Sequence, residues 1–123
     1  MYFYIDTSDR NFIDVALLDA GGEVVKRKRQ ESLFKQSEKL IKLFDALVGV
    51  RKKDLKGVVV VSGPGDFSAL RVGVVSANTL AWSMDLPVYE VESGNMIENI
   101  SFSKKSKKRF VLPKYGNDPN ITV

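Results

Sequence analysis

The chain has neither cysteine nor histidine in its 123 residues. Without cysteine there can be no disulfides and no thiolate metal sites, and a reducing cytoplasm is the expected compartment. Without histidine, the commonest metal ligand and the commonest general base near neutral pH are both missing. A Ser-His-Asp or Cys-His nucleophilic centre therefore cannot be built from this chain alone. Long apolar runs are lacking too. Met1-Tyr2-Phe3-Tyr4-Ile5 stops at Asp6, too short for a signal peptide, and no stretch approaches membrane-spanning length. A hydrophobic fraction of 44% and a charged fraction of 28% are ordinary for a globular domain. The expectation is one soluble, cytoplasmic domain with no membrane association.

What is present centres on Val58 to Trp82, VVVVSGPGDFSALRVGVVSANTLAW. Four successive valines, Val58 to Val61, predict a strand buried on both faces. Ser62-Gly63-Pro64-Gly65 must then turn, because two glycines and a proline do not continue a strand. From Phe67 to about Trp82 the pattern is helical. Ala69, Gly73, Ala77 and Ala81 recur every fourth residue, which stacks small side chains on one face and lets another backbone approach closely. A second helix is the expected neighbour.

Before this stretch, Tyr2 to Asp6, Phe12 to Leu18 and Glu23 to Gln30 predict an antiparallel three-stranded meander, with Asp19-Ala20-Gly21-Gly22 as a hairpin turn. Asp14 interrupts the apolar run of the second strand. The third strand carries Lys26, Arg27, Lys28 and Arg29 and reads as an exposed sheet edge. A helix follows from about Leu33 or Lys35 to Val48. Its apolar positions, Leu40, Ile41, Leu43, Phe44, Leu47 and Val48, make a stripe wider than one sheet contact needs. After the central strand and helix, Leu86 to Val91 predicts a fifth strand, and about Met96 to Ile100 a short helix. The order β-β-β-α-β-α-β implies an α/β fold: one ribonuclease-H-like lobe of the actin-like ATPase superfamily, with a mixed five-stranded sheet. That lobe is expected over residues 1–100, with a basic C-terminal tail over residues 101–123. The net charge of +4 is concentrated in the third strand, in Arg51-Lys52-Lys53, and in the tail's Lys104, Lys105, Lys107, Lys108 and Arg109. Each cluster is either solvated surface or a contact for nucleic-acid phosphates.

Two kinds of site chemistry are in contention. A glycine turn between strand and helix suggests phosphate binding. Against it, Ala69-Leu70 stand where a phosphate-binding loop needs Lys-Ser, Pro64 removes a donor, and Asp66 places a carboxylate at the positive end of the helix. A dinucleotide fingerprint fails as well, with Ser68 in place of its third glycine. The second kind is metal chemistry. Asp6, Glu38 and Asp66 occupy places where a ribonuclease-H-like nuclease holds two magnesium ions. Each also has a structural role open to it, Asp6 in a turn, Glu38 in a first helical turn and Asp66 beside a helix cap. Arg71 either reaches a partner or RNA, or pairs with Asp66 or Glu90, and Trp82 belongs to the core or to an interface edge.

The stretch SGPGDFSALRVG resembles the TsaB (YeaZ) family, accessory subunits in the synthesis of threonylcarbamoyladenosine in tRNAs reading ANN codons. The family pattern is Gly-Pro-Gly-Ser-Phe-Thr-Gly-Leu-Arg-x-Gly. Gly63, Pro64, Gly65, Phe67, Leu70, Arg71 and Gly73 match it, while Asp66, Ser68 and Ala69 replace serine, threonine and glycine. Ile5-Asp6-Thr7-Ser8, Val15 to Asp19, Gln36-Ser37-Glu38 (without the family's histidine), Leu86-Pro87-Val88 and Val91-x-Ser93 continue the match. Pro113-x-Tyr115-Gly116-x-x-Pro119 resembles the tail of some members.

The resemblance implies a compact member in which the first lobe joins the tail directly, without the second lobe or its interlobe cleft. It also implies a non-catalytic scaffold that needs no metal or cofactor. Such proteins pair with a TsaD-like transferase through two helices of the N-terminal lobe, with a TsaE-like ATPase as a third component and a homodimer when alone. The implied contact residues are Leu40, Ile41, Phe44, Leu47, Leu70, Gly73, Ala77 and Ala81. The motif loop comprises Gly63, Pro64, Gly65, Phe67, Ser68 and Arg71. A tRNA contact through the basic tail is a further expectation, and the alternative function is the metal-dependent nuclease.

Overall fold

The computed structural model describes residues 1–31, 36–92 and 107–108. Strands β1 (Tyr2–Asp6), β2 (Phe12–Leu18) and β3 (Val24–Glu31) precede helix α1 (Gln36–Val48) and a 3-10 segment, Gly49–Asp54. Then come β4 (Gly57–Gly63), helix α2 (Phe67–Ser83), β5 (Val88–Glu92) and β6 (Lys107–Lys108). The sheet runs β3-β2-β1-β4-β5-β6. β1, β2 and β3 pair antiparallel, and β1, β4 and β5 pair parallel.

The sixth strand is a departure from the expected five. Lys108 and Lys107 pair antiparallel with Val88 and Tyr89, so part of the supposed tail belongs to the sheet. Two lysines alternate nothing, and a period-two pattern had no purchase there. The short helix expected near Met96 lies outside the described residues.

Both helices bury their apolar faces on one side of the sheet. Leu40, Leu43, Phe44, Leu47 and Val48 of α1 and Val74, Ala77 and Ala81 of α2 share a core with Phe3, Ile5, Val15, Val58 and Val60. Phe3 and Phe44 meet edge to face, with ring centroids 4.9 Å apart. The opposite face gathers Tyr4, Ala16, Leu18, Val59, Val61 and Tyr89. Successive valines of β4 thus alternate between two buried clusters, which is why the strand needs apolar residues at every position.

Asp14, the exception in β2, lies on the second face and is 7% exposed. Arg27 of the neighbouring strand meets it with both arms of its guanidinium, Nε donating to Oδ1 at 3.0 Å and Nη2 to Oδ2 at 2.6 Å. A bidentate partner is what lets a carboxylate stand in an apolar row.

Tyr4 lies beneath the same face, 4% exposed. Burial, with the nearby charges of Asp6 and Asp14, pushes its phenol far above the ordinary tyrosine range. The folded state then holds a proton that the unfolded chain releases near its normal pKa of ~10. Stability contributed by Tyr4 is complete below that pH and is lost as pH rises beyond it. Urea midpoints measured from pH 9 upward should fall more steeply for the native chain than for Tyr4→Phe. Identical slopes would show that Tyr4 ionises freely in the folded state.

Candidate functional site

The glycine motif is half of a packing contact, and the turn after β1 is the other half. At the end of β1, Asp6 Oδ1 accepts from Ser8 N at 2.9 Å and from Ser8 Oγ at 2.7 Å. Ser8 O in turn accepts from Asp66 N at 3.0 Å. A Cβ at Gly65 would stand 2.7 Å from Ser8 O, a backbone atom that cannot swing aside. Thr7, fully buried, donates its hydroxyl to Ala69 O of α2 at 2.6 Å. A Cβ at Gly73 would overlap Thr7 Oγ1 and lie 3.3 Å from Thr7 Cβ and Cγ2.

At Gly73 and Ala69 of the small-residue row the close neighbour is therefore the end of β1, while Ala77 and Ala81 share the core with α1, the expected second helix. Ala69, Ala77 and Ala81 of that row are at most 1% exposed. They and Gly73 let α2 lie low on the sheet.

This arrangement leaves little for a phosphate to bind. Asp66 caps α2, its Oδ1 accepting from Ala69 N at 3.0 Å. The capping carboxylate takes the place and the sign of charge that an anion would need. The nuclease alternative loses its geometry as well. Asp6 is engaged by Ser8, Asp66 by Ala69 N, and Glu38 is exposed on α1. Among the described residues, no three His, Cys, Asp or Glu side chains are grouped so as to hold a metal ion. Sequence position suggested these carboxylates could converge, but Asp6 is bonded in its own turn, Asp66 in its helix cap, and Glu38 stands exposed.

The outer face of the two helices is different in character. The residues expected to make an interface divide sharply: Leu40, Phe44, Leu47, Leu70, Gly73, Ala77 and Ala81 are buried within the chain, and Ile41 is 57% exposed. A side chain already packed in the core cannot also form an outward surface, so of that set Ile41 alone is exposed, and other exposed apolar residues lie nearby in sequence. On α2 these are Val75, 58% exposed, and Trp82, 84% exposed. The spacing of Ser68, Arg71, Val75 and Trp82 keeps them along one outward side of the helix.

A groove of 350 Å³ is lined by Ser37 of α1 and by Ser68, Arg71, Val72, Val75 and Ser76 of α2. Arg71 at its rim is exposed and forms no ion pair with Asp66 or Glu90 among the described residues. Ser68 is likewise exposed, as is Pro64 in the loop before α2. Val75 and the solvent-facing Trp82 were missed as a pair, although their spacing of seven residues places them on one helical side. Among the described residues, no helix is long and apolar enough to cross a membrane.

The family profile "TsaD: tRNA N6-adenosine threonylcarbamoyltransferase" matches residues 21–112. The chain belongs to that family and is TsaB/YeaZ-like. It is 49% identical over 41 residues to the tRNA threonylcarbamoyladenosine biosynthesis protein TsaB of Bacillus subtilis (strain 168), covering 33% of this chain and 18% of that protein. It is 35% identical over 94 residues to the tRNA N6-adenosine threonylcarbamoyltransferase of Limosilactobacillus fermentum (strain NBRC 3956 / LMG 18251), covering 76% of this chain and 25% of the relative.

Among solved structures, YeaZ from Pseudomonas aeruginosa superposes with a TM-score of 0.59 at 21% identity, over 74% of this chain and 42% of the other. A second Pseudomonas aeruginosa structure, described as an uncharacterized protein with similarity to peptidase YEAZ, gives 0.60 with the same identity and coverage. These likenesses show the fold, an α/β arrangement similar to that of YeaZ and consistent with the expected ribonuclease-H-like lobe. The chain spans less than half the length of each of these relatives.

Proposed function

We propose that this TsaB/YeaZ-like chain is a non-catalytic accessory subunit in the synthesis of threonylcarbamoyladenosine in tRNA, and that it pairs with a TsaD-like transferase through the outer face of α1 and α2. The observation that carries the proposal is the exposure of three large apolar side chains, Ile41, Val75 and Trp82, on helices that otherwise bury most of their apolar residues. Exposed apolar residues beside a groove, rimmed by serines and an arginine, are the anatomy of a protein-docking patch. Aromatic and arginine side chains are the usual anchors of such patches. The chemistry would belong to the partner. This chain offers neither histidine nor cysteine, and its candidate carboxylates are spent on turns and caps or stand apart in solvent. When the chain is alone, the same face would meet its own copy in an isologous dimer.

Light scattering on a sizing column tests this directly, with the chain run alone and then mixed with the TsaD-like protein of the same organism. A one-to-one complex that replaces any homodimer is the expected result. A chain that elutes unchanged in the presence of that protein would overturn the proposal.

A further inference from the structure

Strand β3 presents four cations in succession, and the structure gives them different tasks. Arg27 is tied to Asp14 by the two bonds described above. Arg29 lies over the ring of Phe12, 4.2 Å from its centroid. A guanidinium stacked in this way is held in place while its edge remains open to an acceptor. Lys26 and Lys28 stand opposite Leu17 and Val15, so they belong to the helix-side face of the sheet. Both are exposed, and neither forms an ion pair among the described residues. Next to them Lys39 of α1 donates to Glu31 O at 3.2 Å, which adds a further positive charge to that flank.

β3 is the terminal strand of the sheet, and seven of its eight residues are exposed. Alternate backbone N–H groups along such an edge point outward. The strip therefore combines cations on both sides of a row of backbone donors, the mixture that recognises phosphate oxygens. Lys26 and Lys28 are separated by about 6.8 Å along the strand, two residues at ~3.4 Å each. That is a span over which an extended nucleic-acid chain can present successive phosphates.

We propose that the outer edge of β3 docks the phosphate backbone of RNA, with Lys26, Lys28 and Arg29 as the contacting groups and Arg27 as a positioning residue locked by Asp14. The choice of RNA rests on the proposed place of the chain in tRNA modification; recognition of a polyanion rests on the strip alone. A second copy of the chain is disfavoured because two such strips would repel. An anionic membrane is disfavoured because Val25, at 43% exposure, is the one large apolar residue that the strand exposes. Recognition of this kind is independent of sequence and steep in salt.

The test uses the full-length chain and a fluorescently labelled, unmodified tRNA transcript, with anisotropy titrations across a salt series. Vesicles containing phosphatidylserine form a parallel arm. The variant is Lys26→Ala/Lys28→Ala/Arg29→Ala, and the comparison variant is Arg51→Ala/Lys53→Ala in the other basic cluster. Binding by the native chain should weaken linearly on a log–log salt plot. The triple variant should bind tRNA at least ten-fold more weakly at low salt, with the slope reduced by about 2, at ~0.7 per lost contact. The comparison variant should stay within two-fold, and the thermal transitions of all three proteins should coincide.

Equal losses in both variants would mean diffuse charge rather than a strip and would overturn the proposal. So would an unchanged triple variant, or loss of vesicle binding alone. Pairing with the TsaD-like protein is measured on the same samples. A native chain that pairs but ignores tRNA refutes the strip and leaves the accessory role standing. A chain that binds tRNA through the strip but never pairs does the reverse.

Discussion

Gly73→Leu is expected to abolish cooperative folding, and even Gly73→Ala should destabilise the chain. A Cβ at this position meets Thr7, whose hydroxyl is fixed by its bond to Ala69 O and whose side chain has no exposed surface. Thr7 cannot rotate away without leaving its own buried hydroxyl unpaired. α2 cannot lift without opening the core it shares with Val58 and Val60. On propensity alone, replacing a helical glycine by alanine stabilises by ~1 kcal/mol. Overpacking a rigid site costs ~1–3 kcal/mol for a few atoms. The net for alanine should be a loss of up to about 2 kcal/mol. Leucine puts four carbons where one does not fit, against a total stability that for a small domain is only ~5–15 kcal/mol.

Urea unfolding followed by circular dichroism measures both variants. Combining Gly73→Ala with Thr7→Ala should recover part of the loss, because the second change removes the overlapping oxygen. A Gly73→Ala chain as stable as the native one would show that α2 is free to move. Strain against Thr7 would then not be the reason for glycine.

The same position shows what could be read from the residues alone. The four-residue recurrence of Ala69, Gly73, Ala77 and Ala81 establishes that one face of α2 is closely approached. Periodicity carries no information about what approaches it. The neighbour is Thr7, 62 residues away from Ala69 in the chain, and only the parallel pairing of β1 with β4 brings the two together. Strand positions were legible because alternation and β-branching are local properties. The hairpin at Asp19 was legible for the same reason: Asp19 Oδ1 accepts from the backbone of Gly21 and Glu23, and Gly22 takes a positive φ of 86°.

Other features depend on pairing that the residues do not announce. The ladder between β2 and β3 shifts register at Leu17/Leu18; strand alternation puts Lys26 and Lys28 on the face opposite Arg27 and Arg29, and the shift decides that the lysines take the helix side. β6 is recruited from a stretch with no apolar alternation. That has a practical consequence, since deleting the chain from residue 103 onward would strip an edge strand from β5. Charge reversal in the tail is the cleaner way to ask whether it touches tRNA.

The width of the apolar stripe on α1 was the most informative local signal, although its meaning was only half visible. Leu40, Leu43, Phe44, Leu47 and Val48 account for the contact with the sheet, and Ile41 is the excess. From this follows the other large effect: Ile41→Glu/Val75→Glu should strongly weaken pairing with the TsaD-like protein while leaving the fold intact. Both side chains are more than half exposed, so substitution should change monomer stability by no more than ~0.5 kcal/mol. In a complex, the two carboxylates would be desolvated against an apolar surface. Loss of an interface anchor costs ~2–4 kcal/mol, and each ~1.4 kcal/mol is ten-fold in affinity. Weakening of about 30-fold or more is therefore expected from the pair. Trp82→Ala, which removes the largest exposed side chain at the end of the same face, should weaken pairing without introducing charge. Calorimetric titration against the TsaD-like protein, with melting curves of each variant alone, separates docking from folding. If the double variant binds with native affinity, the partner approaches from elsewhere on the lobe. If it melts early, Ile41 and Val75 support the helical layer itself, and the apolar excess on α1 would be core after all.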